Sequence, residues 1–255
     1  PDLDKALPEY DEMIELIKRE AGADTIFLHA PNAEGTLIFP PNQWFPRDHG
    51  FMTPYGAIVG NSDPPRVYEE YFVIRKLLAL DIPVIFKVYG AGRMESGDAI
   101  YLDEKTLLLG HSYRTNLTGY EQIKAVLEGL VVDHVVDVPV RSDFMHLDVA
   151  FNIASETVVA VCPEGVPEEF INFVKNKGFD MIRVPEQEST TLATNWLCLA
   201  PRKILFIDGE ERMNISTRKE LEKRGIDVIS WKMPELIGGA GGPRCLTMPL
   251  LRRKD

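Results

Sequence analysis

Four residues able to run a cysteine-dependent reaction, Asp48, Glu95, His146 and Cys245, are spread at nearly even intervals along the 255-residue chain. In such chemistry a thiolate attacks an electrophilic carbon, a histidine moves protons, and carboxylates orient the histidine or bind a cationic substrate. Asp48 and Glu95 lie 47 residues apart, Glu95 and His146 lie 51 apart, and His146 to Cys245 spans 99, nearly two steps, with Asn195 of TNWLCL at the gap. A period of roughly 50 residues is the mark of a repeat architecture. If one unit recurs about five times around an axis, equivalent positions converge at the centre. Residues distant in sequence then meet in one pocket.

Cys245 follows a glycine-rich run, GGAGGPRC. Such a backbone reaches conformations closed to other residues and can approach a ligand closely. On this segment alone, packing and nucleophilic roles stand level. Cys162 and Cys198 sit in strand-like apolar runs, VVAVCP and WLCLAP, and read as buried packing residues.

The elements that must position these residues repeat as well. Apolar residues at helical spacing mark five amphipathic stretches: 9–20, 67–80, 120–130, 168–177 and 217–223. Four of them run into a related exit of helix end, turn and β-rich segment: LALDIPVIFKV, EGLVVDHVVDVPV, KNKGFDMIRVP and EKRGIDVISWKMP. The first, EAGADTIFLHAP, is a looser copy. Further strand signals, GAIVGN, AIYLDEKTLLLG, LDVAFNIASETVVAV and LCLAPRKILFIDG, give a helix and about three strands per unit, about five times over.

Composition bounds the function. The chain is long enough to bury a large core, and a closed ring of repeats would use residues 1–255 as one catalytic domain. A formal charge of −11 argues against a nucleic-acid partner, because phosphate binding needs basic clusters, and the tight basic group LRRKD reads as a solvated tail. The polar, acidic start PDLDKALPEYDEM and the lack of an apolar run of membrane-spanning length predict a soluble, cytoplasmic protein with no membrane partner. Three cysteines without a CxxC pair suit a reducing compartment.

The motifs NQWFPRD, MESGD, GHSYRTN, HLD and GGxxxxC, in this order and spacing, resemble the guanidino-group-modifying enzymes of the pentein superfamily: arginine deiminases, dimethylarginine dimethylaminohydrolases and amidinotransferases. The resemblance covers 42–251. It implies an α/β fold, a five-bladed pseudo-symmetric ββαβ propeller with its active site on the axis. It also implies roles: Cys245 as nucleophile, His146 as general acid and base, Glu95 as the carboxylate orienting that imidazole, and Asp48 and Asp148 as the grip on the substrate guanidinium. A guanidinium is planar and rich in donors, so carboxylates matched to its N–H vectors fix its carbon before a thiol. Arg114 matches the position that binds an α-carboxylate in relatives acting on free amino acids, with Arg66 a looser second match. Asn42 and Phe45 match the deiminase pattern NxxFxRD. Asp98 either supports a substrate-binding arginine or shapes its turn. His49 beside Asp48 raises a metal reading with His146 and Asp148, but metal sites want closer paired ligands. The resemblance calls for no metal and no organic cofactor, and a homo-oligomer is common among the relatives.

These readings predict a hydrolase that converts arginine, or a related small-molecule guanidino substrate, to a ureido product such as citrulline with release of ammonia. An amidinotransferase and a dimethylarginine hydrolase are the alternatives of the same fold, and a non-catalytic ribosome-binding propeller the alternative of another class. Asp148 after His146 favours an unsubstituted guanidinium, whereas the compact length favours the methylarginine hydrolases. Ala240 stands where many deiminases carry a further carboxylate-binding arginine, and Arg244 replaces the histidine that often precedes the nucleophile.

Overall fold

The computed structural model describes residues 2–28, 44–62, 66–208 and 213–252. In chain order the elements are α1 (Leu3–Ala21), α2 (Pro46–His49), β1 (Gly50–Thr53), β2 (Gly56–Val59), α3 (Val67–Ala79), β3 (Val84–Lys87), β4 (Ala99–Asp103), β5 (Thr106–His111), α4 (Leu117–Leu127) and β6 (His134–Pro139). They continue with α5 (Leu147–Ala150), β7 (Phe151–Ile153), β8 (Val158–Val161), α6 (Glu168–Asn176), β9 (Asp180–Arg183), α7 (Glu186–Ser189), β10 (Leu197–Ala200), β11 (Lys203–Ile207), α8 (Ile215–Lys223) and β12 (Asp227–Trp231). Among the described residues, twelve strands form four three-stranded sheets in sequence order, β1-β2-β3, β4-β5-β6, β7-β8-β9 and β10-β11-β12.

Each sheet is a ββαβ unit. The first two strands pair antiparallel across a tight turn, as in Gly50↔Val59 and Phe151↔Val161. The third strand returns parallel to the second, as in Val158↔Asp180 and Lys203↔Asp227. A parallel return needs a crossover, which a helix supplies each time. The middle strand carries the core: β2 and β8 are buried along their whole length, whereas β3 alternates partly buried and exposed positions as an edge does. Four of the sequence-predicted units are thus complete. The first helical stretch is α1, but 22–28 carries no strand, and Ile26 and Phe27 are about half exposed, at 50% and 44%. The helix also begins before Pro8, because Asp2 caps it by accepting from the Asp4 amide at 3.1 Å. It ends at Gly22, whose φ of 59° is the left-handed C-terminal conformation.

The chain divides into two compact units. One comprises Pro1–Thr25 and Val138–Arg244, the other Ile26–Asp137 and Cys245–Asp255. In the first, Trp196 and Trp231 are buried with Phe151 and Phe206, Phe151 meets Phe170 edge-on at 5.2 Å, and the Trp231 indole N–H donates to the Glu9 carbonyl of α1 at 3.1 Å. In the second, Phe51, Ile58, Met94, Leu107, Leu109, Ile123 and Leu127 form one core. Each such side chain contributes roughly 1.5–3 kcal/mol when fully buried. Among the described residues, no helix is long and apolar enough to cross a membrane.

Candidate active site

The spacing of the candidate residues has a local cause: a short helical turn lies just ahead of the first strand of a unit and holds the polar residue. Asp48 lies in α2, directly before β1. Glu95 caps the 3₁₀ turn Ser96–Asp98 ahead of β4. His146 caps α5 ahead of β7, with Asp148 in the first turn. Asn195 precedes β10. The side chains of all five are buried.

In the unit holding Asp48, Glu95, Arg66, Arg114 and Cys245, acids and guanidiniums are interleaved. Asp48 and Glu95 place carboxylate oxygens within 4.8 Å of one another. Arg66, the N-cap residue of α3, donates to Asp48 Oδ2 at 2.8 Å, stands 3.7 Å from Glu95 Oε1, and donates to His49 Nε2 at 3.2 Å. Because a guanidinium only donates, His49 Nε2 accepts and Nδ1 carries the proton. That Nδ1 meets no partner among the described residues. Burial first, and the cationic Arg66 second, push the His49 pKa down to about 3.

Arg114 Nη1 is also 3.7 Å from Glu95 Oε1, with one fifth of its side chain exposed and its guanidinium 5.1 Å from the Tyr113 ring centroid. Partial burial works against its charge, but Tyr113 and the Glu95 and Asp48 carboxylates outweigh that and raise its pKa. Asp98 shapes the turn that carries it. Asp98 Oδ2 accepts from Ser112 Oγ at 2.8 Å and Thr115 Oγ1 at 2.6 Å, and Ser112 Oγ accepts from the Arg114 amide at 3.0 Å. Phe45, half-buried, accepts at its carbonyl from the Asp48 amide at 3.2 Å. The Cys245 carbonyl accepts from the Arg47 amide at 3.4 Å, and Cys245 is 6% exposed. Asn42 lies outside the described residues.

In the other unit, Asp148 Oδ2 accepts from Arg244 Nη1 at 2.6 Å, a charge-assisted bond between side chains that are 0% and 9% exposed. Thr194 Oγ1 donates to the Asp148 carbonyl at 3.0 Å. The Asn195 carbonyl accepts from the Arg244 amide at 3.1 Å, and Asn195 Oδ1 accepts from the Gly242 amide at 3.1 Å. A Cβ at Gly242 would come within 2.8 Å of Asn195 Oδ1 and 2.7 Å of Ile207 Cδ1, so those side-chain ends would have to shift to admit one. The function of Asn195 as the clamp on the glycine-rich run had only one sequence signal, its place on the repeat. Cys162 is fully buried, and burial, then the Glu164 carboxylate, push its thiol up to about 11. Cys198 Sγ donates to the Ile153 carbonyl at 3.0 Å. Both surroundings are those of packing residues.

Paired acids that bind guanidiniums, on ββαβ units, define a class, and comparison with known proteins gives the same class. Residues 2–252 match the family described as "N,N dimethylarginine dimethylhydrolase, eukaryotic". The YkgA protein of Bacillus subtilis strain 168 is 31% identical over 212 residues, covering 83% of this chain and 71% of that protein. The arginine deiminase of Listeria monocytogenes serovar 1/2a is 28% identical over 257 residues, and the aligned part covers 83% of this chain but 62% of the deiminase. Among solved structures, DDAH from Pseudomonas aeruginosa complexed with citrulline superposes with a TM-score of 0.80 at 21% identity, covering 97% of this chain and 89% of that one. The product-bound N-terminal domain of ArgZ, a cyanobacterial arginine dihydrolase, gives 0.79 at 18% identity, covering 98% and 88%. The chain belongs to the dimethylarginine dimethylhydrolase family, within the pentein superfamily of guanidino-group-modifying enzymes, and has the α/β ββαβ fold expected of it.

Proposed function

We propose that this protein hydrolyses the guanidino group of a free amino acid, arginine or an N-substituted arginine, through a covalent intermediate on Cys245. One observation carries the reading: the acids expected to grip a guanidinium each stand against one. Arg66 bonds to Asp48 at 2.8 Å, and Arg244 bonds to Asp148 at 2.6 Å. These carboxylates have the geometry for planar, charge-assisted donors. The family match and the deiminase relative support the same substrate chemistry.

In the proposed reaction the Cys245 thiolate attacks the guanidinium carbon, and His146 protonates the departing nitrogen. The bond between carbon and nitrogen breaks, leaving an amidino-thioether on Cys245. His146 next takes a proton from water, which attacks the same carbon, and collapse restores the thiolate and releases citrulline. Glu95 holds the imidazole in the useful tautomer, the part an orienting carboxylate plays in other triads. Incoming substrate displaces Arg66 from Asp48, and Arg66 and Arg114 then face the α-carboxylate. The departing nitrogen is ammonia from arginine and an alkylamine from an N-substituted arginine. Asn42 and Phe45 border the substrate in this reading.

The test is a panel of arginine, N-methylated arginines, agmatine and a peptidyl arginine, assayed for both ureido product and released amine. The proposal expects ureido product from at least one free amino acid and little from agmatine. Absence of ureido product from every compound would overturn it. Faster loss of the guanidino donor when acceptor amines are added would favour the amidinotransferase instead.

A further inference from the structure

An acid and a guanidinium free to meet close to hydrogen-bond length, as Arg66 does on Asp48 at 2.8 Å. Arg114 and Glu95 do not. Arg114 Nη1 and Glu95 Oε1 stay 3.7 Å apart, although Glu95 is 1% exposed and little water screens the attraction. The guanidinium lies over the Tyr113 ring, 5.1 Å from its centroid. Both residues belong to one compact unit, and a run of buried hydrogen bonds through Thr115, Asp98 and Ser112 of the same unit holds their backbones.

That run has a fixed polarity. Each hydroxyl carries one proton, and both protons are directed at Asp98 Oδ2, which lies 2.6 Å from Thr115 Oγ1 and 2.8 Å from Ser112 Oγ. Their lone pairs therefore face backbone donors. Thr115 Oγ1 accepts from the Glu95 amide at 3.2 Å, and Ser112 Oγ accepts from the Arg114 amide at 3.0 Å and the Thr115 amide at 3.2 Å. The Ser112 amide closes the turn on the Thr115 carbonyl at 3.1 Å, and the Asp98 amide returns to the Glu95 carbonyl at 3.1 Å. Thr115 and Asp98 are 0% exposed, so a bond removed here leaves its partner with no water to replace it. Thr115 thus meets the Glu95 segment with its side chain and follows Arg114 in the chain.

Resting on the hydrolase reading above, we infer that Thr115 is a positioning residue for the reaction: its hydroxyl, aimed by Asp98, holds the Glu95 and Arg114 backbones in one frame and keeps the acid and the guanidinium from closing on each other. That separation leaves Glu95 and Arg114 each to its own part in the reaction. Without the hydroxyl the two can collapse into a direct ion pair, and both parts fail together.

The test compares Thr115→Val, which keeps the shape and loses the hydroxyl, with Thr115→Ser, which keeps the hydroxyl. The readouts are kcat and KM for the free amino acid of the panel that is turned over fastest, and the Kd of citrulline, the product the proposed reaction forms. KM and Kd do not depend on the fraction of protein folded, so a merely stabilising Thr115 would leave both at their wild-type values. Thr115→Val should lower kcat and raise KM and the citrulline Kd, each by about tenfold, the scale of one buried hydrogen bond lost. Thr115→Ser should stay within about threefold of wild type in all three. The Thr115→Val/Arg114→Ala double variant should lose less in kcat/KM than the product of the two single losses, since no guanidinium is then left to hold away from Glu95. If Thr115→Val does not fold, Ser112→Ala cuts the same run on the Arg114 side and should weaken citrulline more than it lowers kcat. Wild-type KM and citrulline Kd in Thr115→Val overturn the inference. Equal losses in Thr115→Ser and Thr115→Val overturn it too, as do single losses that multiply in full in the double variant, or a wild-type citrulline Kd in Ser112→Ala. If wild type turns over no compound of the panel, the hydrolase reading falls and this assignment with it; wild-type turnover that Thr115→Val leaves unmoved overturns the assignment alone.

Discussion

The buried imidazole of His49 makes stability depend on pH in a calculable way. Its folded-state pKa is about 3, against an ordinary 6.5, with burial the leading cause, Arg66 and Lys87 assisting and Glu95 opposing. Between those limits the unfolded chain binds a proton that the folded chain refuses. The contribution of neutral His49 is therefore fully present above about pH 6.5 and is lost as pH falls toward 3. The slope is about 1.4 kcal/mol per pH unit, on the order of 2 kcal/mol between pH 6.5 and 5, before most carboxylates titrate. His49→Gln is the matched control, since its amide oxygen can accept from Arg66 without titrating. Urea unfolding of both proteins from pH 7.5 to 5 isolates the effect in their difference. Wild type should lose stability relative to the variant below pH 6.5. A flat difference across that range would show that His49 is protonated or hydrated in the fold, and the reasoning would be refuted.

Arg114→Ala should lower turnover of arginine by about thirtyfold, on the order of 2 kcal/mol, the low end for stranding a paired charge because Arg114 keeps some exposure. Agmatine, with no carboxylate, should change little, and an equal loss on both compounds would remove the carboxylate assignment. Gly119→Ala should destabilise the fold by about 1–3 kcal/mol, because its Cβ would sit 2.0 Å from the Arg93 carbonyl oxygen, a backbone atom that cannot swing aside. The gain of about 1 kcal/mol from replacing a helical glycine does not offset this. Thermal unfolding checks it, and a melting temperature at or above wild type would contradict the close approach.

The parts of this molecule visible in its sequence are those set by local periodicity. The stretches 67–80 and 168–177 are α3 and α6 to within a residue, because an apolar face at helical spacing and a glycine or turn beyond the end specify a helix without outside help. Asp48, Glu95 and His146 are legible for a related reason: the same short turn precedes β1, β4 and β7, so chain spacing maps onto structural equivalence. Partnerships across the repeat are not legible. Arg66 reads as a carboxylate-binding arginine but stands on Asp48, and Arg244 reads as a departure from a family pattern but stands on Asp148, 96 residues away in sequence. Which acid a long flexible cation selects depends on distances that no local pattern encodes. Nor does polarity mark Asn195 as the clamp of the glycine-rich run.

The central claim is that Cys245, alone of the three cysteines, carries the reaction. Quenching wild type during turnover and weighing its peptides should show an amidino adduct on the peptide containing Cys245, strongest in His146→Ala, where later proton transfers are blocked. Cys245→Ser should show neither adduct nor turnover at an unchanged melting temperature, while Cys162→Ser and Cys198→Ser keep their activity. Undiminished turnover in Cys245→Ser would contradict the covalent mechanism outright.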